Sequence, residues 1–92
     1  MEKRDELQEL RMKIDLIDRG LITSLAERAE LVLEIGRYKA THNIEALDEG
    51  RRDALLETWI KTGKALSLPE DLLRDIFSAI HRHSLSIEKK QQ

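Results

Sequence analysis

Three cationic side chains stand at informative places in the first forty residues: Arg11, Arg28 and Lys39. Apolar residues recur around them at Leu7, Leu10, Ile14, Ile17, Leu21, Leu31, Ile35 and Tyr38, the three- and four-residue spacing of a packed helix seam. Continued past Leu21, that seam lands on Ser24 and then on Arg28, so a guanidinium occupies a place where a hydrophobe is expected. Burying an unpaired guanidinium is costly, so it either snorkels to solvent or meets an anion inside. Lys39 follows eleven residues later, about 20° around a helix and about 16 Å along it. Two long cationic side chains leaning toward each other across that gap leave room for a small dianion. Arg11 precedes Arg28 by seventeen residues, about 25 Å on one helix, so only an antiparallel partner helix could bring it to the same place.

Further along, Ser84 and Glu88 stand four apart and form one polar strip on an otherwise apolar helix. Asp48, Arg51 and Arg52 cluster at the opening of the preceding helix. With 37% of the chain charged, most single Arg and Lys side chains are solvated surface, and Arg28 is the exception because it breaks the seam. Of the three histidines, His81 and His83 are two apart and point to different helix faces, and His42 is remote in sequence, so no chelate is expected. Trp59 reads as core or interface packing. The sequence contains no recognisable phosphate-binding glycine loop, nucleophile–base pair or acid–base carboxylate dyad.

The elements that must position these residues follow from the same spacing. With no proline before Pro69, residues 5–41 read as one helix, interrupted only by Gly20 and Gly36, each costing about 1 kcal/mol relative to Ala. Residues 42–47 read as a loop. Asp48 is an N-cap with Glu49 in the first turn, opening a second helix to about residue 66. Pro69 starts a third, with Glu70 and Asp71 in its first turn and Leu72, Leu73, Ile76, Phe77, Ile80 and Ile87 as its apolar stripe. Residues 88–92 are expected to fray. The expected fold is all-α, with three helices in one domain over residues 1–92.

Length and composition set the rest. A compact 92-residue chain has a diameter near 30 Å, whereas a 37-residue helix is about 55 Å long. Its seam therefore stays buried only against another chain, which implies an intertwined homodimeric bundle. A net charge of −2 argues against nucleic acid as a partner. Cysteine is absent, and no apolar run is long enough for a signal h-region or a membrane span. A cytoplasmic location and no membrane partner are the expectation.

Set side by side, Leu10-Arg11-x-x-Ile14-x-x-x-Asp18, Leu25-Ala26-Glu27-Arg28 and Gly36-x-x-Lys39 resemble the all-α chorismate mutases. The likeness continues through Asp48, Arg51, Asp53-x-Leu55-Leu56-Glu57, Gly63-Lys64-Ala65, Phe77 and Ser84, covering about residues 7–88 without a gap. The resemblance implies an entwined dimer with two equivalent sites and no metal or cofactor. Arg28, Lys39, Asp48, Arg51, Ser84 and Glu88 would come from one chain and Arg11 from the other. It implies rearrangement of the dianion chorismate to prephenate by a [3,3] shift, without proton transfer. Arg11 and Arg28 would clamp the carboxylates. Lys39 and Glu88 would serve the ether oxygen, where negative charge grows. Two positions depart from the family. The glutamate that accepts a hydrogen bond from the ring hydroxyl falls at Arg52, with Glu49 one turn earlier as a nearby acid. The position of Glu88 is often glutamine. Isochorismate pyruvate-lyase and 4-amino-4-deoxychorismate mutase share the scaffold and the cationic clamp, and a non-catalytic helical dimerisation module is a further alternative. Cations placed in a seam argue against that last reading.

Overall fold

The computed structural model describes residues 3–92. Their regular structure is helical throughout: α1 spans Lys3–Thr41, α2 Glu49–Ala65 and α3 Glu70–Lys90. Asp5 and Glu6 lie in the first turn of α1 and Lys39 in its last, each complementing the helix dipole. The described chain divides into two compact units, one ending at Leu31 and the other running Val32–Gln92.

In the first unit the apolar seam is not covered. Leu7, Leu10, Ile14, Ile17 and Leu21 are all exposed, between 45% for Leu7 and 64% for Ile17.

The second unit holds the buried core. Val32, Ala46, Leu73 and Phe77 are buried, and Trp59 meets Phe77 edge-on with ring centroids 5.5 Å apart. Gly63 is buried where a side chain would overlap Leu73, so its lack of a Cβ lets α2 and α3 approach closely. Leu72 and Ile76, expected in the core stripe of α3, are 42% exposed and mark its edge.

Local chemistry explains where the helices stop. At the end of α1, His42 and Ile44 donate their backbone N–H groups to the Lys39 carbonyl, and Asn43 takes the left-handed conformation (φ 56°). Asparagine tolerates that region, and the turn satisfies carbonyls that the helix leaves open. Asp48 caps α2 as expected, its Oδ1 accepting from the Arg51 backbone N–H at 3.0 Å. At the other end, Ser67 adopts φ 65° while the Leu68 N–H reaches back to the Gly63 carbonyl. Pro69, lacking an N–H, precedes the first residue of α3.

The end of α3 corrects the expectation of a frayed tail. The helix continues to Lys90, and the residues after it are tied down. Gln91 Nε2 donates to the Ile87 carbonyl, and Gln92 Nε2 donates to the Ile44 carbonyl at 2.8 Å, across 48 residues of sequence. No helix among the described residues is long and apolar enough to cross a membrane.

Candidate active site

The strongest polar contact in the second unit joins α1 to α3. Lys39 Nζ lies 2.7 Å from Glu88 Oε1, with side chains only 18% and 13% exposed. Lys39 also donates to the Ala46 carbonyl at 2.8 Å. An ammonium carries three donors, and the hydrogen bond to Ala46 uses one of them. The carboxylate alongside offsets the lysine charge and fixes the head group in place.

Ser84 lies one turn before Glu88 on α3 and is buried; its hydroxyl donates to the Ile80 carbonyl at 2.9 Å. That bond holds its oxygen against the helix, on the face that carries Glu88. Phe77 and His81 continue the same face at four- and three-residue steps, with their rings near parallel at 5.7 Å.

At the opening of α2, Asp48 is committed to the Arg51 backbone, while the Arg51 side chain is exposed. Arg52 is half-buried and turned along its own helix, Nε 3.1 Å from Asp53 Oδ1. It lines a groove of about 430 Å³ with Leu47, Leu56, Phe77, His81 and Leu85. In the first unit Arg11 is exposed and Arg28 is half-buried. The fold thus brings Lys39 directly to Glu88, ties Asp48 to Arg51, and points Arg52 at an acid of its own helix.

Three neighbours of these residues have little signal in the sequence. The Ala46 carbonyl carries no side-chain signal at all. His81 invites a metal reading by type, whereas its spacing of three and seven from Ser84 and Glu88 places it on their face. Gly36 was noted for its helical cost alone; a glycine in mid-helix often marks a close packing contact, and here a Cβ would stand 3.0 Å from the Glu88 Cα.

The described residues thus form an all-α chain with a shielded lysine–carboxylate pair between α1 and α3. Comparison with known proteins places that chain in a family. The sequence profile described as Chorismate mutase type II matches residues 10–89. The chain is 35% identical over 83 residues to the T-protein of Enterobacter agglomerans, covering 90% of this chain and 22% of that protein. It is likewise 35% identical over 85 residues to the bifunctional chorismate mutase/prephenate dehydratase of Escherichia coli (strain K12), covering 92% and 22%. The 4-amino-4-deoxychorismate mutase of Streptomyces venezuelae is 26% identical over 88 residues, covering 96% of this chain and 85% of that one.

This chain belongs to the chorismate mutase type II family. It spans under a quarter of the length of the T-protein and the bifunctional relative.

Proposed function

We propose that the chain rearranges chorismate to prephenate, as an entwined homodimer whose two sites draw on both chains. The observation that carries this reading is the Lys39–Glu88 pair, largely shielded from solvent and one turn from buried Ser84. In the rearrangement the ether C–O bond breaks while a C–C bond forms between the enolpyruvyl side chain and the ring, and negative charge gathers on the ether oxygen. Lys39 donates to that oxygen, an interaction that strengthens toward the transition state, and Glu88 stands beside the ammonium and holds it in place. Arg28, Arg51 and the partner's Arg11 bind the two carboxylates and hold the folded, reactive conformer. Asp48 orders the start of α2 through its cap, and Ser84 contributes its hydroxyl. Arg52 lies beside the ring end of the substrate.

The dimer is supported by the apolar seam of α1. Six of its residues in the first unit, Leu31 among them, and Ile35 and Tyr38 in the second are each 45% exposed or more. Large continuous apolar faces mark protein interfaces. Arg11 and Arg28 are also about 25 Å apart on one helix, so a clamp that uses both takes them from different chains.

A second reading has its own support. Arg52 replaces a carboxylate at the ring end, and one relative bears the name 4-amino-4-deoxychorismate mutase. Two experiments test the proposal. Consumption of chorismate, isochorismate and 4-amino-4-deoxychorismate, with product identification, should show prephenate from chorismate as the fastest conversion; a faster amino analogue transfers the assignment to the second reading. Arg11→Ala and Lys39→Ala chains refolded together should regain activity, because one site of each mixed dimer escapes both lesions. Inactive, verified heterodimers would refute the shared site.

A further inference from the structure

We infer that Gly36 is a positioning residue for the site: its missing side chain sets the approach of α3 to α1 that seats Glu88 on Lys39. The inference concerns the proposed active site and rests on that reading for its catalytic consequence. Gly36 is buried, three residues before Lys39 on α1. A Cβ built there would lie 3.0 Å from the Glu88 Cα and 3.0 Å from Gln91 Cγ, with Glu88 Cγ at 3.5 Å. Ordinary carbon contacts fall nearer 3.5–4.0 Å. The Gln91 side chain can swing aside, but the Glu88 Cα cannot move without its helix. Any side chain at position 36 therefore displaces the stretch of α3 that carries Glu88.

What that displacement would disturb is specific. The Lys39–Glu88 contact is 2.7 Å, Lys39 is held to the Ala46 carbonyl at 2.8 Å, and Gln92 ties the end of α3 to the Ile44 carbonyl. Both carbonyls belong to the segment joining α1 to α2. Gly36 thus sits under a single polar cluster that fixes the lysine, its carboxylate and the connecting loop.

The chain supplies two control glycines. Gly20 has nothing of its own chain within 4 Å of a built Cβ, so Gly20→Ala is a helix-propensity control remote from the Lys39–Glu88 pair. Gly63 is buried against Leu73, so Gly63→Ala reports a packing clash away from the Lys39–Glu88 pair.

The first test needs no substrate. Urea unfolding of the intact protein at fixed concentration gives the coupling between Lys39→Met and Glu88→Gln as a double-mutant cycle. Gly36→Ala should bring that coupling close to unity, while Gly20→Ala and Gly63→Ala leave it unchanged although Gly63→Ala lowers stability. Undiminished coupling in Gly36→Ala overturns the inference whatever the protein turns over. The second test reads kinetics on the substrate found above. Gly36→Ala should lower kcat about tenfold, since small misplacements at a reacting centre cost one to two decades, with KM changed little. In the Glu88→Gln background the same substitution should cost a smaller factor, because α3 then carries a weaker partner for Lys39. An equal loss in both backgrounds means that Gly36 does not act through Glu88. Absence of turnover in the unsubstituted protein refutes the proposed function and leaves the coupling result to decide the role of Gly36.

Discussion

Lys39→Ala removes the residue that joins α1 to α3 in the second unit and on which the proposed chemistry rests. An ion-pair contact with Glu88 Oε1 at 2.7 Å and a hydrogen bond to the Ala46 carbonyl at 2.8 Å are lost. An exposed ion pair contributes about 0–1 kcal/mol, and breaking a fully buried one costs about 3–5 kcal/mol. With side chains 18% and 13% exposed, this pair falls between those limits. Discounted for the solvent that remains, a net destabilisation of about 2 kcal/mol is expected, part of it from leaving the Glu88 carboxylate without its cation. For a chain of this size the urea m-value is about 1 kcal/mol/M, so the unfolding midpoint should fall by about 2 M at equal protein concentration. Glu88→Gln should cost less than half as much, because an amide oxygen still accepts from the ammonium. In the proposed chemistry Lys39→Ala should also lower kcat by about 10²–10³, the usual loss for a donor aimed at developing charge. Circular dichroism at the helical band follows the first quantity and steady-state kinetics on folded protein the second. An unchanged urea midpoint would refute the energetic argument, since it would mean that the contact contributes nothing in solution.

In the proposed chemistry Arg52→Glu supplies a carboxylate at the ring end and should raise kcat/KM on chorismate by about one to two decades, the worth of a hydrogen bond to a charged group felt in the transition state; a fall in kcat/KM would make Arg52 a working part of the site. In the proposed chemistry Glu88→Gln keeps a polar partner for Lys39, so it should retain more kcat than Glu88→Ala; equal losses in the two variants would contradict the role given to Glu88. Glu70 concerns stability: the hydrogen bond from Arg74 Nε at 3.0 Å, then the charge of Arg74, hold its carboxyl below the ordinary 4.5. A depressed folded value means that the stabilisation is present above the unfolded value and is lost as pH falls through the folded one. Glu70→Gln should therefore lower the urea midpoint slightly at pH 7 and match the unsubstituted protein well below pH 4, with the difference shrinking in high salt. A difference that persists in acid would rule out the ion pair as its source.

Much of the helical framework was legible along the chain because it depends on short-range physics. The seam from Leu7 to Tyr38 repeats every three or four residues, and a helix carries that repeat wherever it packs. Asp48 caps α2 because its carboxylate needs only the N–H three residues on, and Pro69 lies at the border of α3 because it has no N–H to give. The seam also announced that something must cover it. Arg28, Lys39, Ser84 and Glu88 stand out by residue type against an apolar background, and the family resemblance supplies the roles proposed for them.

What packing decided was every relation across a large sequence separation. Lys39 and Glu88 are forty-nine residues apart, and nothing local says that their head groups touch or that the Ala46 carbonyl is the lysine's second acceptor. The end of α3 was misjudged for the same reason. Local propensity favours fraying in a run of charged and amide residues, but the bond from Gln92 to Ile44 and the seat of Glu88 on Lys39 hold it in order. Gly36 shows the limit most clearly. Read along the chain it is a weak point in a helix, whereas in the fold a Cβ there would stand 3.0 Å from the Glu88 Cα. A helix's own hydrogen bonds span four residues; the approach of two helices depends on side-chain volume from both of them, which neither segment contains alone.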